Sequence, residues 1–292
     1  MKANNDQHKK HIDQYFATNT INHLKTLAGS FCNDAVFFLI TLPDHNFVLA
    51  PVYASCVINE KKEVSYSGPT YVTIRSGKHD SSTAETNHHN FSLLFDSKEF
   101  EPVMKINGQC KPIVIICVDG GPDENPRYAK TLVGGVNLFK KYQLDCLFVV
   151  SNCPGRSAFN MVERRMAPLS NQLAVDEQLE IRNFKRAGEC LVEVWNELTI
   201  DYYSVACRYI EPVDKKDSSS LLNPNTLDVN WLQIHVRQSQ YLLQIIKFSS
   251  NGISVADLSD KDGHFIDLYQ RLQLDNILST VNVPYDYNCP SV

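Results

Sequence analysis

Ile113-Val114-Ile115-Ile116-Cys117-Val118-Asp119-Gly120-Gly121-Pro122-Asp123-Glu124-Asn125-Pro126-Arg127 is the stretch whose reading decides the fold. Its first six residues are apolar and rich in β-branched side chains, the pattern of a strand buried on both faces. The run stops at a carboxylate, and the Gly, Pro and Asn residues behind it turn the chain out of the sheet. A strand that delivers Asp119 at its carboxyl end places that group where open α/β sheets carry their chemistry. Working outward, a helix is expected from about residue 128 to 142, followed by a second apolar strand, Cys146-Leu-Phe-Val-Val150. A Cys-Pro-Gly-Arg loop spans 153–156, and the next helix carries Asn160-Met-Val-Glu-Arg-Arg165.

The chain has 292 residues, 43% of them hydrophobic and 21% charged, enough for a sizeable core in one or two domains. It holds no apolar run of the roughly 18 residues that a membrane span needs. Met1 to Lys10 is polar with no apolar segment behind it, which argues against a secretion signal. The nine cysteines are scattered without a Cys-x-x-Cys pair, and several fall in expected strands. There a free thiol acts as a small hydrophobe. An intracellular, reducing setting is expected, and a zinc site built on these cysteines is not. The net charge of −5 counts against strong autonomous DNA binding, which draws its affinity from neutralised phosphates. Any DNA-facing surface must be local, around Arg127, Lys130, Arg156, Arg164 and Arg165.

Upstream, Ile12, Tyr15, Phe16, Ile21, Leu24 and Leu27 recur at helical spacing over 7–28. Residues 35–42, 47–58 and 71–75 read as antiparallel strands joined by short turns, and 84–95 as a short helix. Helical pattern returns at 158–172 and 189–198. Asp214 to Ser220 reads as a solvated linker, and 231–248 forms a further apolar region. The chain thus divides into an N-terminal amphipathic helix (1–30), an α/β core (31–200) and a C-terminal extension (201–292).

Phosphodiester chemistry with two divalent ions about 4 Å apart needs carboxylates that converge from distant positions, because hard cations take oxygen ligands. Asp119 at a strand tip and Glu163 near the start of a helix have the spacing for that. The plainer reading is equally simple: strand-Asp-Gly-Gly turns occur in many α/β enzymes, and a helical Glu is usually solvated. Strand with Asp, helix, strand, loop and helix with Glu is also the order of the second half of a ribonuclease-H-like nuclease core. Val118-Asp-Gly-Gly-Pro-Asp-Glu-Asn-Pro-Arg-Tyr128 and Asn160-Met-Val-Glu-Arg-Arg-Met-Ala-Pro-Leu-Ser170 resemble the second and third acidic motifs of DDE-type transposases. More closely, they resemble eukaryotic transposase-derived proteins. His11-Ile-Asp-Gln-Tyr-Phe16, Leu42-Pro-Asp-His-Asn-Phe-Val48, Tyr66 to Tyr71, Ile74 to Thr83 and His235 to Gln244 resemble that group too. The resemblance implies a ribonuclease-H-like mixed sheet flanked by helices, with Asp119 as second and Glu163 as third acid. It also implies Mg²⁺ or Mn²⁺ as cofactor, DNA as partner and a nuclear location.

One departure cuts across these matches. The family's first acid sits in an Asp-Asp-Lys-Ala-like motif at the end of the first strand, but here Val36-Phe-Phe-Leu-Ile40 runs into Thr41-Leu42-Pro43. Asp34 precedes the strand and Asp44 belongs to another matching block, so neither stands in for it. An incomplete N-terminal strand region and a degenerate active site are therefore expected. The alternative is a catalytically inactive module that binds nucleic acid or protein. A third reading, an unrelated α/β enzyme acting on a phosphorylated metabolite, is disfavoured by Pro122, Asp123, Glu124 and Pro126 in the turn.

Other candidates carry two readings each. Arg127 has the fork that suits phosphate, or it and Asn125 simply fix the turn. Asn160, one helical turn before Glu163, orients that carboxylate or caps its helix. Arg164 and Arg165 grip a DNA backbone or form a solvated face. Lys78-His79-Asp80 reads as an exposed turn, His88-His89 lacks a companion metal ligand, and Trp195 and Trp231 read as core.

Overall fold

A computed structural model describes residues 13–42, 48–49, 51–76, 83–121, 124–153, 181–211, 222 and 227–247. Helix α1 (Gln14–Ser30) leads into β1 (Val36–Leu42), β2 (Val48–Leu49), β3 (Val52–Ser55) and β4 (Thr70–Ser76). Helices α2 (Ala84–Phe95) and α3 (Glu101–Met104) follow, then the small β5 (Lys105–Ile106) and β6 (Gln109–Cys110) pair. The decisive stretch forms β7 (Ile113–Val118), which leads through α4 (Ala129–Lys141) to β8 (Cys146–Ser151). The remainder supplies α5 (Ile181–Asn196), β9 (Thr199–Ile200), β10 (Tyr203–Tyr209), α6 (Val229–His235), β11 (Val236–Gln238) and β12 (Leu242–Ile246).

The main sheet runs β11-β12-β8-β7-β1-β3-β4-β10-β9, with β2 paired to β4. Its middle is mixed. β1 pairs antiparallel with β3, and β3 with β4, whereas β7 lies parallel to β1, and β8 parallel to β7. This α/β architecture, a mixed sheet flanked by helices, is consistent with the ribonuclease-H-like sheet expected. As expected, β7 and β8 are neighbouring parallel strands joined by a helical crossover, α4. One expectation fails. The N-terminal strand region is not incomplete, because β1 is a seven-residue strand paired along both edges, Val36–Ile40 with β7 and Leu39–Leu42 with β3. A run of seven apolar or β-branched residues can lie between two neighbours as a central strand. The link from β3 to β4 is also longer than a short turn, and folds back on itself through an Ile58–Val64 bridge.

Residues beyond 200, expected as a C-terminal extension, enter the same sheet. β10 lies parallel to β4 at one side, and β12 antiparallel to β8 at the other.

Alternation along the strands splits the core into two layers. Phe38, Ile40, Leu42, Ile113, Ile115, Cys117, Phe148 and Val150 face the layer that also holds Leu24, Leu27 and Ala28 of α1 and Trp195 of α5. Phe37, Leu39, Val114, Ile116, Val118, Leu147 and Val149 face the other, with Phe91 and Leu94 of α2 and Val136 and Phe139 of α4. Trp195 is fully buried as expected, while Trp231 is only half-buried at the edge of its layer, against Phe139 and under Lys140. The thiols behave as small hydrophobes: burial pushes Cys110, Cys117 and Cys207 up to about 12. Helix α2 starts on a capping box in which the Thr83 and Thr86 side chains each accept from the other's backbone N–H. No helix among the described residues is long and apolar enough to cross a membrane.

Candidate functional site

Asp119 leaves β7 at its carboxyl end and is half-buried. Continuing the alternation of β7 by one residue puts its side chain on the face of Cys117, towards α1 and α5. On the adjacent β1, Ile40 pairs with Cys117, so the residue one step on that shares this face is Leu42. Where a first-strand carboxylate would look across at Asp119, this chain presents a buried leucine. The strand itself is whole, and the residue at this position carries no acid.

The turn after Asp119 is closely tied. Gly120 has φ +96°, and a Cβ there would lie 3.0 Å from the Asn152 carbonyl oxygen beyond β8. Asn125, almost wholly buried, donates through Nδ2 to the Gly120 carbonyl (3.3 Å) and accepts from the Arg127 backbone N–H (3.0 Å). The backbone N–H groups of Glu124 and Asn125 both donate to Gly121, and Gln238 of β11 donates to the Pro126 carbonyl at 2.7 Å. Asn125 therefore fixes the turn. Arg127 is exposed, with its guanidinium over the Tyr128 ring (4.7 Å to the centroid) and Nη2 donating to the Tyr128 hydroxyl at 2.6 Å.

Gly120→Ala is expected to cost about 1–3 kcal/mol, because a left-handed backbone and a tight carbonyl approach act together. Gly108 also has positive φ (+77°) but open space around it, so Gly108→Ala isolates the backbone cost alone. Urea midpoints for the two variants make the comparison. A Gly120 variant no worse than the Gly108 one would mean that β7 and β8 are not held this closely at their tips.

Beside the turn, Asp13 at the head of α1 accepts from the Tyr241 hydroxyl at 2.8 Å. Burial, then the bond to Asp13, pushes the Tyr241 phenol above its ordinary range, while Arg127 opposes the shift. Tyr241 also packs on Cys153 and Ala17. The first helix, the β8 exit and the β12 entry thus meet at the same end of the sheet as Asp119.

Glu124 was not singled out from the sequence. It is 5% exposed and accepts from the Thr41 hydroxyl at 2.8 Å. A carboxylate in a polar, proline-flanked turn reads as solvated; only its contact with β1 buries it, and nothing local records that contact. Glu124 does not share a face with Asp119. Thr41 follows Leu39 in alternation, so this pair lies on the face away from Asp119, beside Leu39, Ile116 and Val118.

Glu163, Asn160, Arg164, Arg165, Arg156, Asp44 and the Lys78-His79-Asp80 turn lie outside the described residues. Among the described residues, no three His, Cys, Asp or Glu side chains group as metal ligands. His88 and His89 sit on α2, where burial pulls both below the ordinary histidine range, helped at His88 by Lys141 and at His89 by Arg75. Comparison of this chain with protein-family models, with curated proteins and with solved structures finds no match.

Proposed function

We propose that this chain is a transposase-derived, nuclease-like domain whose DNA-cleaving site is degenerate. The observation that carries the reading is Asp119 at the carboxyl tip of β7, parallel to and beside β1 at the centre of a mixed sheet. Asp119 and Glu163 are the two acids of the proposed site, with Asn160, Arg164 and Arg127 as candidate DNA contacts.

In an intact site three carboxylates would hold two Mg²⁺ or Mn²⁺ ions, which activate the attacking oxygen and stabilise the leaving one. The residues here do not fit that pair. Leu42 occupies the β1 position facing Asp119, and even with Glu163 two carboxylates leave most of two six-ligand shells to water. No cleavage step follows from such a donor set. What the site retains is a carboxylate held in a rigid turn, flanked by exposed Arg127. That supports a local contact with DNA or protein rather than phosphodiester chemistry, and a nuclear setting belongs to the same reading.

The test is a nicking assay on supercoiled DNA with Mg²⁺ or Mn²⁺ in large excess over the protein. The wild-type chain, Asp119→Asn and Glu163→Gln are expected to be equally inactive, with weak metal binding by calorimetry. Metal-dependent nicking that vanishes in Glu163→Gln would overturn the degenerate reading and show that an acid other than a β1 residue completes the site.

A further inference from the structure

On the face of the sheet away from Asp119, helices α2 and α4 flank a half-open pocket of about 90 Å³ over the ends of β1, β7 and β8. Its walls are Leu39, Ile116, Val118, Leu138, Leu147 and Val149 from the sheet and α4, with Phe91 from α2. Three polar atoms on these walls are buried with no hydrogen-bond partner: Asn87 Nδ2, His88 Nδ1 and Thr131 Oγ1. Buried polar atoms are almost always paired, so three orphans around one cavity call for an explanation.

The Asn87 amide is oriented by a chain of hydrogen bonds that leads in from Arg75. Arg75 Nη2 donates to Asn90 Oδ1 (2.6 Å), Asn90 Nδ2 donates to the Tyr53 hydroxyl (2.7 Å), and that hydroxyl donates to Asn87 Oδ1 (3.2 Å). The chain of bonds consumes the acceptor of the Asn87 amide and leaves its donor for the cavity. His88 makes a hydrogen bond to the Gly134 backbone, and burial together with Lys141 and His89 favours its neutral form. A neutral imidazole that donates from one nitrogen is an acceptor at the other, so Nδ1 offers a lone pair. The cavity therefore presents a fixed donor and a fixed acceptor on neighbouring residues, a hydroxyl on the opposite helix, and apolar walls between.

We infer that this cavity is a binding site for a small neutral ring carrying an amide-type edge, whose carbonyl accepts from Asn87 Nδ2 and whose N–H donates to His88 Nδ1. At about 90 Å³ the pocket is smaller than the roughly 150 Å³ cavity that takes up benzene, so one small ring is the upper limit and part of it must lie in the open mouth between α2 and α4. Charge limits it further. The buried Glu124 carboxylate at one wall opposes an anion, while Lys130, already 3.4 Å from Glu85, and Lys141 nearby oppose a cation. The site shares no wall with Asp119, so it stands or falls independently of the nuclease-like reading.

The probe is 2-pyridone, a six-membered lactam, titrated into the full chain by calorimetry and by thermal shift, with benzene and benzoate as comparators. The lactam is expected to bind and raise the melting temperature, at least tenfold more tightly than benzene, with benzoate silent. Asn87→Leu and His88→Phe, each checked for folding by circular dichroism, are expected to lose that tenfold preference while still admitting benzene. Thr131→Phe, which places a ring in the cavity, is expected to exclude both. If 2-pyridone binds no better than benzene to the wild-type chain, or as well to Asn87→Leu and His88→Phe as to wild type, the inference is wrong. The three polar atoms then serve enclosed water.

Discussion

Trp195→Ala should lower the stability of this chain by about 3–5 kcal/mol, the cost of emptying a fully enclosed indole site. Trp195 is 0% exposed on α5, in the same core layer as Leu24, Leu27, Phe38 and Val72. The neighbourhood has little room to collapse into the space. Helix α5 rests on β10 and β4, and it approaches so closely that a Cβ on Gly188 would sit 2.4 Å from the Tyr209 ring. Domains are stable by about 5–15 kcal/mol in total, so the loss would remove a large share. Trp231→Ala is the comparison. That indole is half-buried, touches Phe139 and lies under Lys140, and its removal should cost clearly less. Urea denaturation of both variants decides the matter; equal losses would show that α5 does not close the core as described.

Gly29→Ala should also destabilise, by an amount near the upper end of the 1–3 kcal/mol typical of overpacked cores. The sign is not obvious in advance, because alanine inside a helix is favoured over glycine by about 1 kcal/mol. At Gly29 the steric contribution prevails. A Cβ would stand 1.8 Å from the Lys62 carbonyl oxygen, a backbone atom that cannot rotate aside. Nor can the segment easily retreat. Lys62 holds φ 61°, its N–H donates to Asn59, and Asn59 Oδ1 in turn accepts from the Glu63 N–H. Gly134→Ala in α4 is the opposite case, with only Leu222 Cδ1 at 4.0 Å, and should be neutral or slightly stabilising. A stabilised Gly29→Ala would mean that α1 does not pack directly on the 59–63 turn.

The parts of this fold that were legible in the sequence are those whose signal is local. Six apolar residues ending on Asp119 announced β7, and the run at 146–150 announced β8. Between them Val133, Val136 and Phe139 recur on one side of α4, the spacing of a crossover helix. The helix expected around 84–95 forms at those bounds, where Thr83 and Thr86 make a capping box and Phe91 and Leu94 are buried. What was not legible depends on partners far along the chain. The run 242–246 reads as generic apolar sequence, and only its pairing with β8 makes it the strand that buries that neighbour's outer edge. The same holds for β10, whose parallel partner β4 precedes it by well over a hundred residues. At the candidate site, Asp119 was read from its strand, and a missing first acid was expected from an absent motif. That β1 would be an intact central strand, with Leu42 in the position facing Asp119, was not foreseen. Sheet pairing depends on an apolar run of sufficient length and not on whether an acid stands at its end.

The order of the strands bears on how this molecule meets other copies of itself. Edge strands expose a row of unpaired amides and carbonyls that can recruit another chain. Among the described residues, the two ends of the long sheet are β11, three residues, and β9, two residues. Each is joined to its inner neighbour by a tight reversal, at 239–241 and 201–202. The central strands β1, β7 and β8, apolar but for Thr41 and Ser151, have just the composition that drives cross-β stacking when left open. Folded, they lie four or more strands from one margin and two or more from the other. The late segments of the chain thus act as selvedges on a cloth that would otherwise fray into its neighbours. Shortening the chain before β12 should then favour insoluble aggregate over a smaller soluble fold.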